Sequence, residues 1–118
     1  MLADPEQRAN TLLCRLGGPA KEQDRSLPEG FLMEMMALRE SIDAHLAAGD
    51  RSAVEAHLAR AEESRGGHIR RVGELFRTVS APGAPATLAA IRRELNAWRY
   101  IERLIEQIAA RDSGGQPA

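Results

Sequence analysis

The sequence predicts an all-α protein, an antiparallel three-helix bundle with an additional short N-terminal helix. Three observations carry that expectation. Helix-favouring Ala, Leu, Arg and Glu dominate the 118 residues, while aromatics are confined to Phe31, Phe76, Trp98 and Tyr100 and β-branched residues are few. Long segments repeat their apolar residues at helical spacing. The interruptions between them are short and rich in Gly and Pro, which leaves consecutive helices antiparallel. A chain of this length suits one domain.

The first helix is expected from Pro5 to Leu16. Asp4 suits its cap, Pro5 its first position, and Gly17, Gly18 and Pro19 end it. Residues 1–18 thus form one unit and residues 19–25, mostly polar, a linker. Residues 26–111 form the main helical domain. Its first helix is expected from Leu27 to Ala48, with Ser26 and Glu29 at capping-box spacing. Gly49 stops it and Asp50 suits the cap of the next, Arg51 to Val79. The pair Gly66-Gly67 removes about 1 kcal/mol per residue relative to Ala, so a kink or break is expected there. Ser80 to Ala86 reads as a loop, followed by a last helix from Thr87 to Arg111. The segment 112–118, rich in Gly, Gln and Pro, reads as a disordered tail.

The helix from Leu27 to Ala48 carries the most informative pattern. At about 100° per residue, Phe31, Met35, Leu38, Ile42 and Leu46 form one apolar stripe, the natural core face. Leu32, Met33 and Met36 form a second, with Glu40 beside them. A bundle helix needs one apolar face, so the second is covered by another helix of the chain, the first helix being the candidate, or it receives a partner. Methionine suits a docking patch because it is flexible and polarisable, and acids at the edge give the usual polar rim. On the last helix Ile91, Leu95, Trp98, Ile105 and Ile108 form the core stripe. Tyr100 and Leu104 sit at its edge, Tyr100 either extending the patch or capping the core with its hydroxyl in water.

Other chemistry is not signalled. The net charge of −1 gives no field for nucleic acid or an anionic membrane, and Arg70, Arg71, Arg92 and Arg93 read as solvent-facing or as partners of helically spaced acids. His45, His57 and His68 lack metal-ligand spacing, and no cofactor is expected. Cys14 has no base beside it and reads as a small buried residue. Nothing assembles a catalytic site, so no enzyme is expected. A lone cysteine, the lack of a basic-then-apolar start and the lack of a membrane-length apolar run set the expectation of a cytoplasmic protein.

The run Phe31-Leu32-Met33-Glu34-Met35-Met36-Ala37-Leu38-Arg39-Glu40 resembles the FLME-x-(M/L)-x-LRE segment of HscB-type iron–sulfur co-chaperones. Asp4 to Leu13 resembles that family's DP-x-x-RA-x-x-LL helix, and Trp98 to Leu104 its LRFL-x-KL helix. The resemblance implies a C-terminal domain that binds an iron–sulfur scaffold protein for delivery to a heat-shock-type ATPase chaperone. It implies scaffold contacts by Leu32, Met33, Met36, Glu40 and Tyr100. It also implies that the first helix corresponds to the end of a J domain. The His-Pro-Asp motif through which a J domain engages the chaperone is absent from the sequence, so this chain is expected not to stimulate the ATPase. Two departures stand out. Ala37 and Ala44 occupy positions where the family often carries acids, which weakens steering toward a basic partner, and Tyr100 stands where Phe is common. Self-association of the same patch across a twofold axis, without scaffold binding, is the alternative reading.

Overall fold

The computed structural model describes residues 4–79 and 84–114, with side chains through residue 111. The described residues form four helices: α1 (Pro5–Arg15), α2 (Phe31–Ala48), α3 (Arg51–Thr78) and α4 (Pro85–Gly114). No strand occurs among the described residues, so the expected all-α class is observed.

The frame is the antiparallel hairpin of α3 and α4, the most extensively packed helix pair. Its two halves build two cores. The N-terminal half of α3 meets the C-terminal half of α4, where Val54 and Ala61 pack with Ala97, Ile101, Leu104 and Ile108. There α2 adds Phe31, Met35 and Ile42. At the other end Val72 packs with Leu88, Ile91, Leu95 and Trp98, and α1 adds Leu13. Helices α1 and α2 therefore cover successive lengths of one α4 stripe. Side-chain pairs fix the directions. His68 meets Phe31 and His57 meets His45 at 3.2 Å, so α2 runs against α3. Phe31 meets Tyr100, and Asp43 accepts from Arg111 at 2.6 Å, so α2 runs with α4.

Local chemistry explains most helix ends. Asp4 caps α1 by accepting from Glu6 N–H, and Asp50 caps α3 by accepting from Ala53 N–H. After α1, Gly17 takes φ +90, its N–H bonds Cys14 O, and Gly18 N–H reaches Leu13 O at 2.9 Å. This double bond pattern satisfies two carbonyls the helix leaves open. A Cβ on Gly18 would lie 2.5 Å from the Leu13 side chain, so both glycines are required for different reasons.

Several expectations are corrected. Helix α2 begins at Phe31 rather than Leu27, and its cap is Gly30 in a left-handed conformation with no side-chain cap bond. Ser26 is not part of a capping box; its N–H donates to Asp24 Oδ1 at 2.9 Å instead. Helix α3 runs through Gly66-Gly67 without a break. On either side of the glycines it is held to α4, by Arg65 to Glu102 at 3.2 Å and by His68 to Glu94 at 2.5 Å. Tertiary packing overrides the local propensity. Helix α4 starts at Pro85 and continues to Gly114, beyond the expected Thr87–Arg111. Of the expected loop, residues 80–83 lie outside the described residues; of the expected tail, so do residues 115–118. Cys14 is exposed, not buried, because Ala9, Leu13 and Leu16 take the inward face of α1.

The largest correction concerns Arg92, expected in solvent and found 1% exposed. Its position completes the α4 spacing Leu88, Ile91, Arg92, Leu95, which points inward. The guanidinium donates to Asn10 Oδ1 on α1 at 2.7 Å, to Pro19 O in the linker at 3.4 Å and, through Nε, to Asn96 Oδ1 at 3.1 Å. Asn96 then donates to the carbonyls of Asp24 and Ser26 at 3.0 and 2.8 Å. Asn10 also donates to Glu6 Oε2 at 2.6 Å, and Glu6 accepts from Arg99 at 3.3 Å. Burial pushes the Arg92 pKa below its ordinary value, while Cys14, Glu6, Asp24 and Glu22 oppose that shift. The side chain remains a cation, so its donors must be filled.

Two stability predictions follow from this packing. Gly67→Ala, whose Cβ would meet only the flexible Arg70 side chain at 3.8 Å, should raise the unfolding free energy in urea titration by about 0.5–1 kcal/mol. Arg92→Met should lower it by about 3 kcal/mol, because it strands the Asn10, Asn96 and Pro19 acceptors. It should also speed proteolytic cleavage between residues 17 and 26.

Candidate protein-docking site

The core stripe of α2 is buried as the periodicity predicts, with Phe31, Met35 and Ile42 at 4, 3 and 1% exposure. The second stripe is not. Leu32 is 48% exposed, Met33 79% and Met36 54%. The alternative in which α1 covers this face is not what the fold does, since α1 packs on α4 at the other end of the hairpin. Among the described residues the other exposed large hydrophobics are Leu12 on α1 and Ile69 on α3. They stand on separate helices, whereas the three on α2 share a sector roughly 100° wide.

The patch has an acidic edge. Glu34 and Glu40 are both exposed, and Glu40 lies one turn beyond Met36 on the same side of α2. The face is held rigid from behind. Phe31 is the pivot, its ring near perpendicular to those of His68 at 5.4 Å and Tyr100 at 5.6 Å. Farther along, Arg39 donates to Gln107 and Arg111 to Asp43, tying α2 to α4. The backbone presenting Leu32, Met33 and Met36 is thus preorganised, while their side chains remain free to adapt.

The structure brings Leu32, Met33, Met36 and Glu40 onto one face of α2. Tyr100 comes from α4, half-buried, with its ring closing the core over Phe31 and its outer side in a groove beside Leu27. It borders the α2 segment that carries the patch and does not sit among the three apolar side chains by sequence adjacency. Arg70 and Arg71 are exposed, but Arg92 is buried, so the four arginines do not form one basic surface. Among the described residues no group of three or more His, Cys, Asp or Glu side chains is placed to hold a metal ion. No helix there is long and apolar enough to cross a membrane.

A family model described as the HSCB C-terminal oligomerisation domain matches residues 27–109. Co-chaperone protein HscB homologs of Burkholderia vietnamiensis and Burkholderia multivorans are 33% and 32% identical to this chain over 110 residues. Each alignment covers 92% of this chain and 59% of the relative, so the chain spans about three-fifths of the length of those relatives. No solved structure matches the chain at a significant level.

The two faces of α2 respond differently to charge. Met36→Glu should change the unfolding free energy by less than about 0.5 kcal/mol, whereas Met35→Glu, one position away, should cost about 4 kcal/mol or abolish folding. Thermal melts followed by circular dichroism separate the two outcomes.

Proposed function

The chain belongs to the HSCB C-terminal oligomerisation domain family, and from that premise we propose that the exposed face of α2 binds an iron–sulfur scaffold protein for delivery to a heat-shock-type ATPase chaperone. The observation that carries this reading is the uncovered apolar group Leu32, Met33 and Met36, set on a helix whose core face is already filled. The FLME…LRE resemblance supplies the identity of the partner. Nothing in the site suggests chemistry; the proposed role is to hold and to hand over.

The energetics are adequate. Burying these side chains against a partner is worth roughly 1.5–3 kcal/mol each. Less the cost of association, that supports affinity in the micromolar range. Glu34 and Glu40 would meet basic groups at the edge of the partner, favouring encounter and register more than residence time. Tyr100 would touch the partner only with its outer rim, because its inner edge is engaged by Phe31.

Self-association is the second reading, favoured by membership of a family of oligomerisation domains. The same apolar face would then pair with itself. Sedimentation equilibrium at high protein concentration decides between them: a strict monomer removes self-association, and a dimer dissolved by added scaffold makes the two compete for one face.

Titrating the protein with an iron–sulfur scaffold should shift the amide and methyl resonances of Leu32, Met33 and Met36, with a Kd in the micromolar range. Met36→Glu and Met33→Glu should each weaken binding about tenfold without lowering the melting temperature. Absence of binding at about 100 µM scaffold, equivalent to roughly −5.5 kcal/mol, would remove the reading.

A further inference from the structure

A second feature lies on the opposite side of Tyr100 and is electrostatic. A groove of about 550 Å³ runs between the linker and α4. Lys21 and Arg25 line it from the linker, Arg99 and Arg103 from α4, with Tyr100 and Leu27 among the remaining walls. Among the described residues Glu22 is the one acid in its lining. In a chain of net charge −1 this is a marked segregation of positive charge.

We infer that this groove binds an acidic peptide segment of a partner protein. Arg99 shows the recognition in miniature, since it already donates to the Glu6 carboxylate at 3.3 Å at the edge of the groove. Lys21, Arg25 and Arg103 make no ion pair or side-chain hydrogen bond among the described residues, leaving their donors open. Arg99 and Arg103 stand one helical turn apart, about 5–6 Å between Cβ atoms. That spacing suits successive carboxylates along a peptide, and the planar arginine fork matches each one.

The groove is built and not incidental. Asn96 fixes its linker wall by donating to the carbonyls of Asp24 and Ser26. Arg92 fixes the start of that wall at Pro19. Inside the linker, Asp24 accepts from the Ser26 N–H at 2.9 Å, and Ser26 holds its carboxyl below the usual pKa, so this acid is engaged within the turn. Lys21 and Arg25 are thereby presented toward Arg99 and Arg103 before any ligand arrives, which lowers the ordering cost of binding.

The test is fluorescence anisotropy with a fluorescein-labelled twelve-residue peptide of alternating Glu-Glu-Leu composition, at low and then raised NaCl. Saturable binding is expected, weakened several-fold as added salt shortens the screening length. The double variant Arg25→Gln/Arg103→Gln should lose about tenfold in affinity. Asn96→Ala should weaken binding with both arginines intact, by loosening the linker wall. Met36→Glu should leave peptide binding unchanged, so failure here and failure of the α2 reading are separable. The inference is overturned by absence of saturable binding below about 1 mM peptide, or by a double variant that binds like the parent while folded by circular dichroism. It is overturned equally if inorganic phosphate or a short RNA displaces the peptide at lower concentration than unlabelled peptide does, which would make the groove a phosphate site.

Discussion

The arrangement of this protein depends on one buried cation. Arg92 sits where the apolar stripe of α4 calls for a hydrophobic residue, and it is satisfied only because three separate segments bring acceptors to it: Asn10 from α1, the Pro19 carbonyl from the linker and Asn96 from its own helix. A buried guanidinium costs several kcal/mol to desolvate, so such a site is tolerated only when its donors are filled. The reverse also holds. A segment that supplies an acceptor to a buried arginine cannot drift without stranding the charge. That is why residues 19–26, which have few apolar contacts of their own, still take defined positions against α4, and why α1, seated there by Leu13, is further fixed. The contribution is to the uniqueness of the fold more than to its net stability.

With α1 fixed by Arg92 at one end of the α3–α4 hairpin, α2 has the other end to itself. Each short helix contributes one apolar stripe to one length of α4, and neither covers the other. The outer face of α2 is exposed as a geometric consequence, because no other helix among the described residues covers it. Methionine at two of the three exposed positions fits a surface that meets a partner, since its flexible chain is at home in water and still repacks on contact. The rigid and the adaptable parts are divided along one helix: Phe31, clamped between His68 and Tyr100, sets the backbone, and Leu32, Met33 and Met36 present the variable contact.

The features legible in the sequence were those encoded by periodicity. The two faces of α2 could be read because helical spacing is geometric and independent of neighbours, and the caps at Asp4 and Asp50 because a cap is local. What failed had its cause elsewhere in the chain. Gly66-Gly67 is a weak point by propensity, but the clamps that carry α3 through it, Arg65 to Glu102 and His68 to Glu94, join residues more than twenty-five positions apart. Ser26 and Glu29 have the right spacing for a capping box, yet Asn96, some seventy residues away, claims the Ser26 carbonyl and holds that stretch in the linker. Arg92 carried a visible sign, its place in the 88, 91, 92, 95 spacing, which the charge of the side chain overruled. Cys14 lay one position from the inward Leu13, a distinction that needs the phase of α1 and not only its existence. The FLME…LRE motif identified the family because it joins the core face and the exposed face in a single run.

Charge shows why a total can mislead where a distribution informs. A net charge of −1 excludes a strong overall field. It does not exclude opposite local fields, and the fold separates them: acids edge the apolar face of α2, while Lys21, Arg25, Arg99 and Arg103 gather in the groove behind Tyr100. The acids could be read from the helical spacing of α2, but the positive grouping is not visible along the chain, because Lys21 and Arg25 meet Arg99 and Arg103 only after the linker has been pinned to α4. The same buried arginine that fixes α1 therefore also sets the spacing of the positive groove. Tyr100 stands at the border, its ring edge against the root of the apolar face and its outer side in the groove. A partner carrying an apolar element beside an acidic segment would match both surfaces at once. The two contacts would then raise each other's effective concentration across the width of a single helix.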